Sequence, residues 1–417
     1  MNHKNRMQLA SQFTAIAFCI LVTAKADGIP PSSSNSKAAI TTTPNTTHRP
    51  HSKLSAIPPG TAQDLGQYRC VERIIDGEKI VCWTITDYSR FNYDPYNHRI
   101  LMFGGGHAAT ARTDVDMLDL KRDKLQWQSL YPSMSCAQTS AQKLSPKGYH
   151  LTTGHPAARH TYDMTVIAPV NGIPNLMILS AAPGAGYCHR YYTTIRAVAL
   201  LPLDNPSDNK WIYGRAFEFP WSDYAAAEYD PVSRRILIIG QNKHAGKGGM
   251  WVYNPNTDEV ETFVRVDYEF YDHNLVYYPP TQTLYLFERT KEASQPSMVR
   301  KLILDRKHWQ KSKTILLKTK GPAPVGGRAV GYAYDPQHRI IGGAVQNGYF
   351  HSFDPRNNTW TREKMKVASE EKDIQIGTGE FHTLDYDPIN QVFIFIALDP
   401  SKNPRQKRTW AYKPDIR

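Results

Sequence analysis

Cysteine is scarce, with five in 417 residues. Cys19 lies in an N-terminal apolar stretch, without the small residues a lipid-attachment site needs just before it. The other four are Cys70, Cys82, Cys136 and Cys188, an even number compatible with disulfides in an oxidising compartment. Cys70 and Cys82 flank a turn signal at Asp76-Gly77-Glu78, so a cross-hairpin bridge with Cys136–Cys188 as the other pair is one of three possible pairings. Long apolar runs are also lacking. The longest, Phe13 to Val22, falls well short of the roughly 20 residues that span a bilayer, so no membrane partner is expected. Acidic residues are in deficit, 38 against 50 Lys and Arg. There is no phosphate-cradling glycine loop followed by Lys and Ser or Thr, because Gly104-Gly105-Gly106 closes a strand and opens no helix. No tightly spaced His/Cys ligand set occurs either.

What is present begins with an export signal over 1–26: basic Lys4 and Arg6, the apolar stretch, then Ala24-Lys25-Ala26 as a small-x-small cleavage site. Residues 27–60 are rich in Ser, Thr, Pro and Asn and read as a disordered linker, and 61–417 as the folded domain. The expected location is secreted or periplasmic. Three of the 50 basic residues and none of the 38 acidic ones fall in the signal, which leaves the mature chain at +9. An exported basic protein favours a polyanionic partner, and export argues against nucleic acid as that partner. A monomer is expected.

Along the domain a turn recurs: Tyr93-Asp94-Pro95, Tyr229-Asp230-Pro231, Tyr334-Asp335-Pro336 and Tyr386-Asp387-Pro388, with weaker copies at Tyr278-Pro279-Pro280 and Ile167-Ala168-Pro169. Each precedes an apolar run such as Ile236-Leu237-Ile238-Ile239. A period of roughly 50–70 residues in an all-strand pattern predicts a six- or seven-bladed β-propeller of four-stranded antiparallel blades. Six blades are counted. The last, near 381–413, lacks a fourth strand, and residues 68–88 are expected either to supply it or to form part of a seventh blade. Closure by the two chain ends removes exposed sheet edges. The Phe103-Gly104-Gly105 strand end, the Asp turn after the third strand (Asp354-Pro355) and Trp opening the fourth (Trp127, Trp360) resemble kelch repeats.

Antiparallel strands place the start of strand one and the loop between strands two and three on the same face. Those loops carry His107, His189 with Arg190, and Lys243 with His244. The strand-one starts carry His160, Tyr162, Tyr224, His273, Arg328 and His382. Histidine, tyrosine and arginine without paired carboxylates suit proton abstraction beside a sugar carboxylate better than glycoside hydrolysis. The arrangement resembles the secreted propeller polysaccharide lyases of the ulvan lyase type. That resemblance implies β-elimination on an acidic polysaccharide without a cofactor, with His160, His189, Arg190 and Tyr224 catalytic and His107 and Tyr162 beside them. Lys243, His244, His273, Arg328 and His382 would then bind substrate. Each has a plainer role available, as turn cap, core side chain or blade-to-blade hydrogen bond. Two other functions compete: a non-enzymatic propeller binding a polyanion or protein, and a metal site using Cys188 or His189, including a copper sugar oxidase.

Overall fold

A computed structural model describes residues 48–68, 74–75, 78–79, 88–104, 113–131, 134, 144–180, 195–204, 210–221, 224–242, 246, 248–266, 273–288, 294–325, 331–402 and 406–416. It forms a ring of six antiparallel four-stranded blades with almost no helix. Blade 1 is Asn92–Asp94, Arg99–Phe103, Val115–Asp119 and Trp127–Tyr131. Blade 2 is Thr165–Val170, Ile173–Ile178, Ala199–Pro202 and Ile212–Tyr213. Blade 3 is Ala226–Asp230, Arg235–Gln241, Gly248–Asn254 and Glu259–Arg265. Blade 4 is His273–Tyr278, Thr283–Glu288, Met298–Ile303 and Lys313–Leu316. Blade 5 is Tyr332–Asp335, Ile340–Gln346, Tyr349–Asp354 and Thr359–Lys364. Blade 6 is Gly379–Asp387, Val392–Asp399 and Gln406–Lys413, with Thr61–Gln67 as its fourth strand. The first strand of each blade touches the first strand of the next, around the ring and back to blade 1. First strands therefore surround the central axis.

The repeated aspartate explains the turns. Asp94 accepts the backbone N–H groups of Tyr96 and Asn97; Asp230 those of Val232 and Ser233; Asp335 those of Gln337 and His338; Asp387 those of Ile389 and Asn390. Four residues after each aspartate the chain turns left-handed, at His98 (φ 49°), Arg234 (56°), Arg339 (57°) and Gln391 (58°). Proline after the aspartate fixes φ for the first turn position, and the carboxylate satisfies the donors that the tight turn strips from the ladder. Blade 2 turns differently, through Asn171-Gly172 (φ 50° and 84°), two left-handed residues that match a type I′ hairpin.

Strand two of each blade carries an apolar run because both of its faces are buried there. Ile236 and Ile238 pack toward blade 2, while Leu237 and Ile239 pack toward blade 4. Among the described residues six such clusters fill the six gaps between adjacent blades. Each fully buried aliphatic side chain in them contributes about 1.5–3 kcal/mol of transfer free energy.

Ring closure differs from the expectation in which strand supplies it. Thr61–Gln67, rather than residues 68–88, pairs antiparallel with Gln406–Lys413, and Lys366–Ala368 adds a fifth, parallel strand outside it. Arg408 binds Asp64 at 2.5 Å and Glu371 at 2.9 Å across this seam. Ahead of the strand, Leu54 of the short helix Ser52–Ser55 and Ile57 pack into the cluster between blades 6 and 1. Trp127 Nε1 donates to Thr409 Oγ1 at 2.8 Å, joining the same two blades.

Candidate functional site on the upper face

The strand-one starts of blades 1, 2, 3 and 6 converge on one aromatic rim at the upper mouth of the axis. Tyr88 stacks on His160 (ring centroids 5.1 Å apart, planes at 22°) and meets Tyr162 at 5.0 Å and Phe381 at 4.7 Å. Tyr162 meets His160 at 5.9 Å and Tyr224 at 4.6 Å. Tyr224 is the open end of this row, 39% exposed, whereas His160 and Tyr162 are buried.

The rim is held in unusual backbone. Tyr88, Tyr162 and Phe381 have φ of 58°, 48° and 41°. Bulky residues in the left-handed region cost on the order of 1–2 kcal/mol each and persist only where surrounding contacts impose them. Here the Tyr88 carbonyl accepts the N–H groups of Thr161 (3.0 Å) and Tyr162 (2.8 Å) and the Thr161 hydroxyl (3.1 Å). The Ser180 hydroxyl donates to the His160 carbonyl, and Arg159, buried beside it, donates to Ser180 O at 3.1 Å. Burial pulls the Arg159 pKa down to about 10, which leaves it charged at neutral pH.

Beneath the rim lies a charged knot. Arg90, on the blade 1 start, pairs with Asp163 of blade 2 at 3.2 Å and Glu228 of blade 3 at 3.1 Å, and donates to the Ala227 carbonyl at 2.8 Å. Asp163 also accepts Asn274 Nδ2 (2.7 Å) and Leu275 N (2.8 Å) from blade 4. Asp385 of blade 6 accepts Tyr93 N at 2.6 Å. Burial pushes the Asp163 carboxyl up to about 8 against the pull of Arg90, and Asp385 up to about 6. Burial works against the Arg90 charge, but Asp163, Glu228 and Asp385 outweigh it and hold its pKa above the usual arginine value. Blades 1, 2, 3, 4 and 6 thus meet through one guanidinium and its carboxylates.

His273 and His382 sit at this level, each 1% exposed. Burial drops both pKa values to about 3, assisted by Arg300 for His273 and by Arg90 and His273 for His382, so both are neutral at pH 7. Of the residues singled out from sequence, the structure brings together His160, Tyr162 and Tyr224, and places His273 and His382 beneath them. His107, His189, Arg190, Lys243, His244 and Arg328 lie outside the described residues, as do all five cysteines. Among the described residues no group of three His, Cys, Asp or Glu side chains is arranged to hold a metal ion.

Sequence reasoning overlooked Tyr88, Phe381 and the Arg90 knot. One signal pointed to the knot: two residues before the turn aspartate stand Asn92, Glu228 and Asp385, a polar residue at the same place in three first strands. Asn92 donates to Thr165 Oγ1 at 2.8 Å, linking blades 1 and 2.

No protein family and no curated protein matches the sequence. Among solved structures, the chain is similar to a protein provisionally assigned as a gluconolactonase (11% identity, 88% of this chain and 97% of that one, TM-score 0.48). It is also similar to a protein of unknown function from Bacteroides thetaiotaomicron (11%, 85% and 75%, TM-score 0.46). A chain of a mitotic checkpoint complex gives 9% identity, 94% and 100% coverage and a TM-score of 0.40. The propeller assignment rests on the strand pairing described above.

Proposed function

We propose that the protein is a secreted lyase that binds an acidic, uronate-containing polysaccharide on its upper face and cleaves it by β-elimination. The observation that carries this is the aromatic row from Tyr88 through His160 and Tyr162 to exposed Tyr224 at the axis mouth. Flat aromatic faces suit the apolar faces of sugar rings, and phenol and imidazole beside them supply proton-transfer groups. In the reaction a base removes the C5 proton, the electrons form the C4–C5 double bond, and the glycosidic oxygen leaves with a proton from an acid. His160 and Tyr224 are the acid–base pair among the described residues. A cation must neutralise the sugar carboxylate where charge collects. Arg90 is already committed to Asp163 and Glu228, and the role is assigned to Arg190 on the strength of the sequence resemblance alone.

A binding-only propeller is favoured by one observation: His160 is only 8% exposed and its ring is covered by Tyr88. Tyr224→Phe separates the two. The phenylalanine keeps the stacking face and removes the hydroxyl. A lyase loses turnover by roughly 100-fold or more while still retaining polymer. A binding module behaves as native in both assays, and that result would end the lyase proposal.

A further inference from the structure

We infer that a cavity between blades 5 and 6 is a second subsite for the same acidic polysaccharide, holding the chain where it leaves the aromatic rim. This rests on the function proposed above. The cavity measures about 750 Å3, inside the roughly 300–1,000 Å3 typical of ligand sites. Its walls are the blade 5 loop around Asn347, the strand end at Lys364 and the segment from Ile374 to Glu380 that leads into blade 6. Gly379 and Glu380 line it, and the next residue, Phe381, belongs to the rim. Cavity and rim therefore share one strand, about 3–7 Å apart along the backbone.

Charge runs to the cavity from outside. Arg362 and Lys364 alternate along the blade 5 edge, Lys366 follows in the fifth strand of blade 6, and all three are exposed. The side chains between them are used otherwise: Glu363 accepts from the Tyr412 hydroxyl, and Met365 is buried. Arg362 and Lys364 each sit 4.8 Å from the centre of the Tyr349 ring, which holds both heads without neutralising them. Among the described residues none of the three cations forms an ion pair. On the far wall, Glu380 is bound to Lys407 at 2.9 Å, so its carboxylate does not oppose an incoming anion. Met365 and Ile374 give an apolar floor, while Asn347, Gln375 and Thr378 give neutral donors and acceptors. Apolar floor, neutral hydrogen-bonding groups and a one-sided cationic approach match a chain of anionic sugars. Lysine on an outer strand also discourages edge-to-edge pairing, but that role requires neither the adjoining cavity nor its continuity with the rim.

The test uses the full chain and measures affinity for short and long uronate oligosaccharides, with neutral dextran and single-stranded DNA as comparisons. The double substitution Arg362→Gln with Lys364→Gln is expected to weaken the long oligosaccharide roughly 10-fold and flatten its salt dependence. It leaves the disaccharide unchanged. Tyr224→Ala is expected to weaken both. Both sites are exposed, and unchanged unfolding midpoints show that the variants fold. If the double variant holds the long chain as tightly as the native protein while Tyr224→Ala does not, the second subsite is refuted and the rim stands. If the native protein binds neither oligosaccharide, both fall. DNA binding as tight as that of the uronate chain also overturns the subsite, because the surface then reads charge alone.

Discussion

Replacing Arg90 by glutamine removes a cation that joins blades 1, 2 and 3 at the axis. Asp163, fully buried, loses a partner at 3.2 Å and keeps Asn274 Nδ2 and Leu275 N. Glu228, 20% exposed, loses one at 3.1 Å. Where the carboxylates are ionised, at pH 8 and above, removing one member of a buried pair typically costs about 3–5 kcal/mol, because the remaining charge is left uncompensated. The two donors that Asp163 keeps, and the partial exposure of Glu228, put Arg90→Gln near the lower end, about 3 kcal/mol. The loss depends on pH with a definite sign. Asp163 and Asp385 already have folded pKa values raised to about 8 and about 6, so their contribution is present at acid pH and is lost as pH rises through those values. Without Arg90 the carboxylates are harder still to ionise. The variant deficit is therefore largest at pH 8 and smaller at pH 5. Denaturant unfolding followed by tryptophan fluorescence at both pH values reads it directly. Adding Asp163→Asn should recover part of the loss, with a coupling of about 1–3 kcal/mol. An Arg90→Gln protein within about 0.5 kcal/mol of native at both pH values, or strict additivity with Asp163→Asn, would refute the role given to the knot.

Other outcomes follow from the same contacts. The folded pKa of His382 is lowered to about 3, so its contribution is complete above the unfolded value near 6.5 and is lost as pH falls through 3. His382→Gln should therefore lose stability less steeply than native between pH 6.5 and 3, by about 2–4 kcal/mol near the lower end; parallel curves would contradict this. Tyr224→Ala should weaken polysaccharide binding by about 1 kcal/mol, roughly 5-fold, with an unchanged unfolding midpoint, since the side chain is 39% exposed. Gly249→Ala would bring a Cβ within 1.8 Å of the Phe263 ring, which itself packs on Trp251. It should cost about 1–3 kcal/mol by denaturant titration, and a neutral result would mean that ring moves freely.

The blade pattern was readable because it is local. A carboxylate bonding N–H groups two and three residues on, as Asp94, Asp230, Asp335 and Asp387 do, is written in consecutive residues. So is a four-residue run buried on both faces, such as Ile236 to Ile239. The closing strand was harder. Thr61–Gln67 is largely polar and only two of its residues are buried, so it carries little alternation, and its partner lies some 340 residues away in sequence. The rim was half readable. His160, Tyr162 and Tyr224 stand at predicted strand starts, but Tyr88 and Phe381 join them only because the backbone takes left-handed turns that bulky residues avoid on their own. Arg90 gave no sign because one arginine before a strand reads as an ordinary surface cation. Its side-chain partners come from two other blades, and only the packed ring brings them together.

The most direct test incubates the full chain with a panel of acidic polysaccharides, without added cofactor, and assays new unsaturated uronate ends by their ultraviolet absorbance. The account predicts that at least one uronate polymer gains such ends and that Tyr224→Phe abolishes the gain. Polymers that are retained yet stay intact with native protein would contradict the lyase, and polymers neither retained nor cut would contradict the site itself.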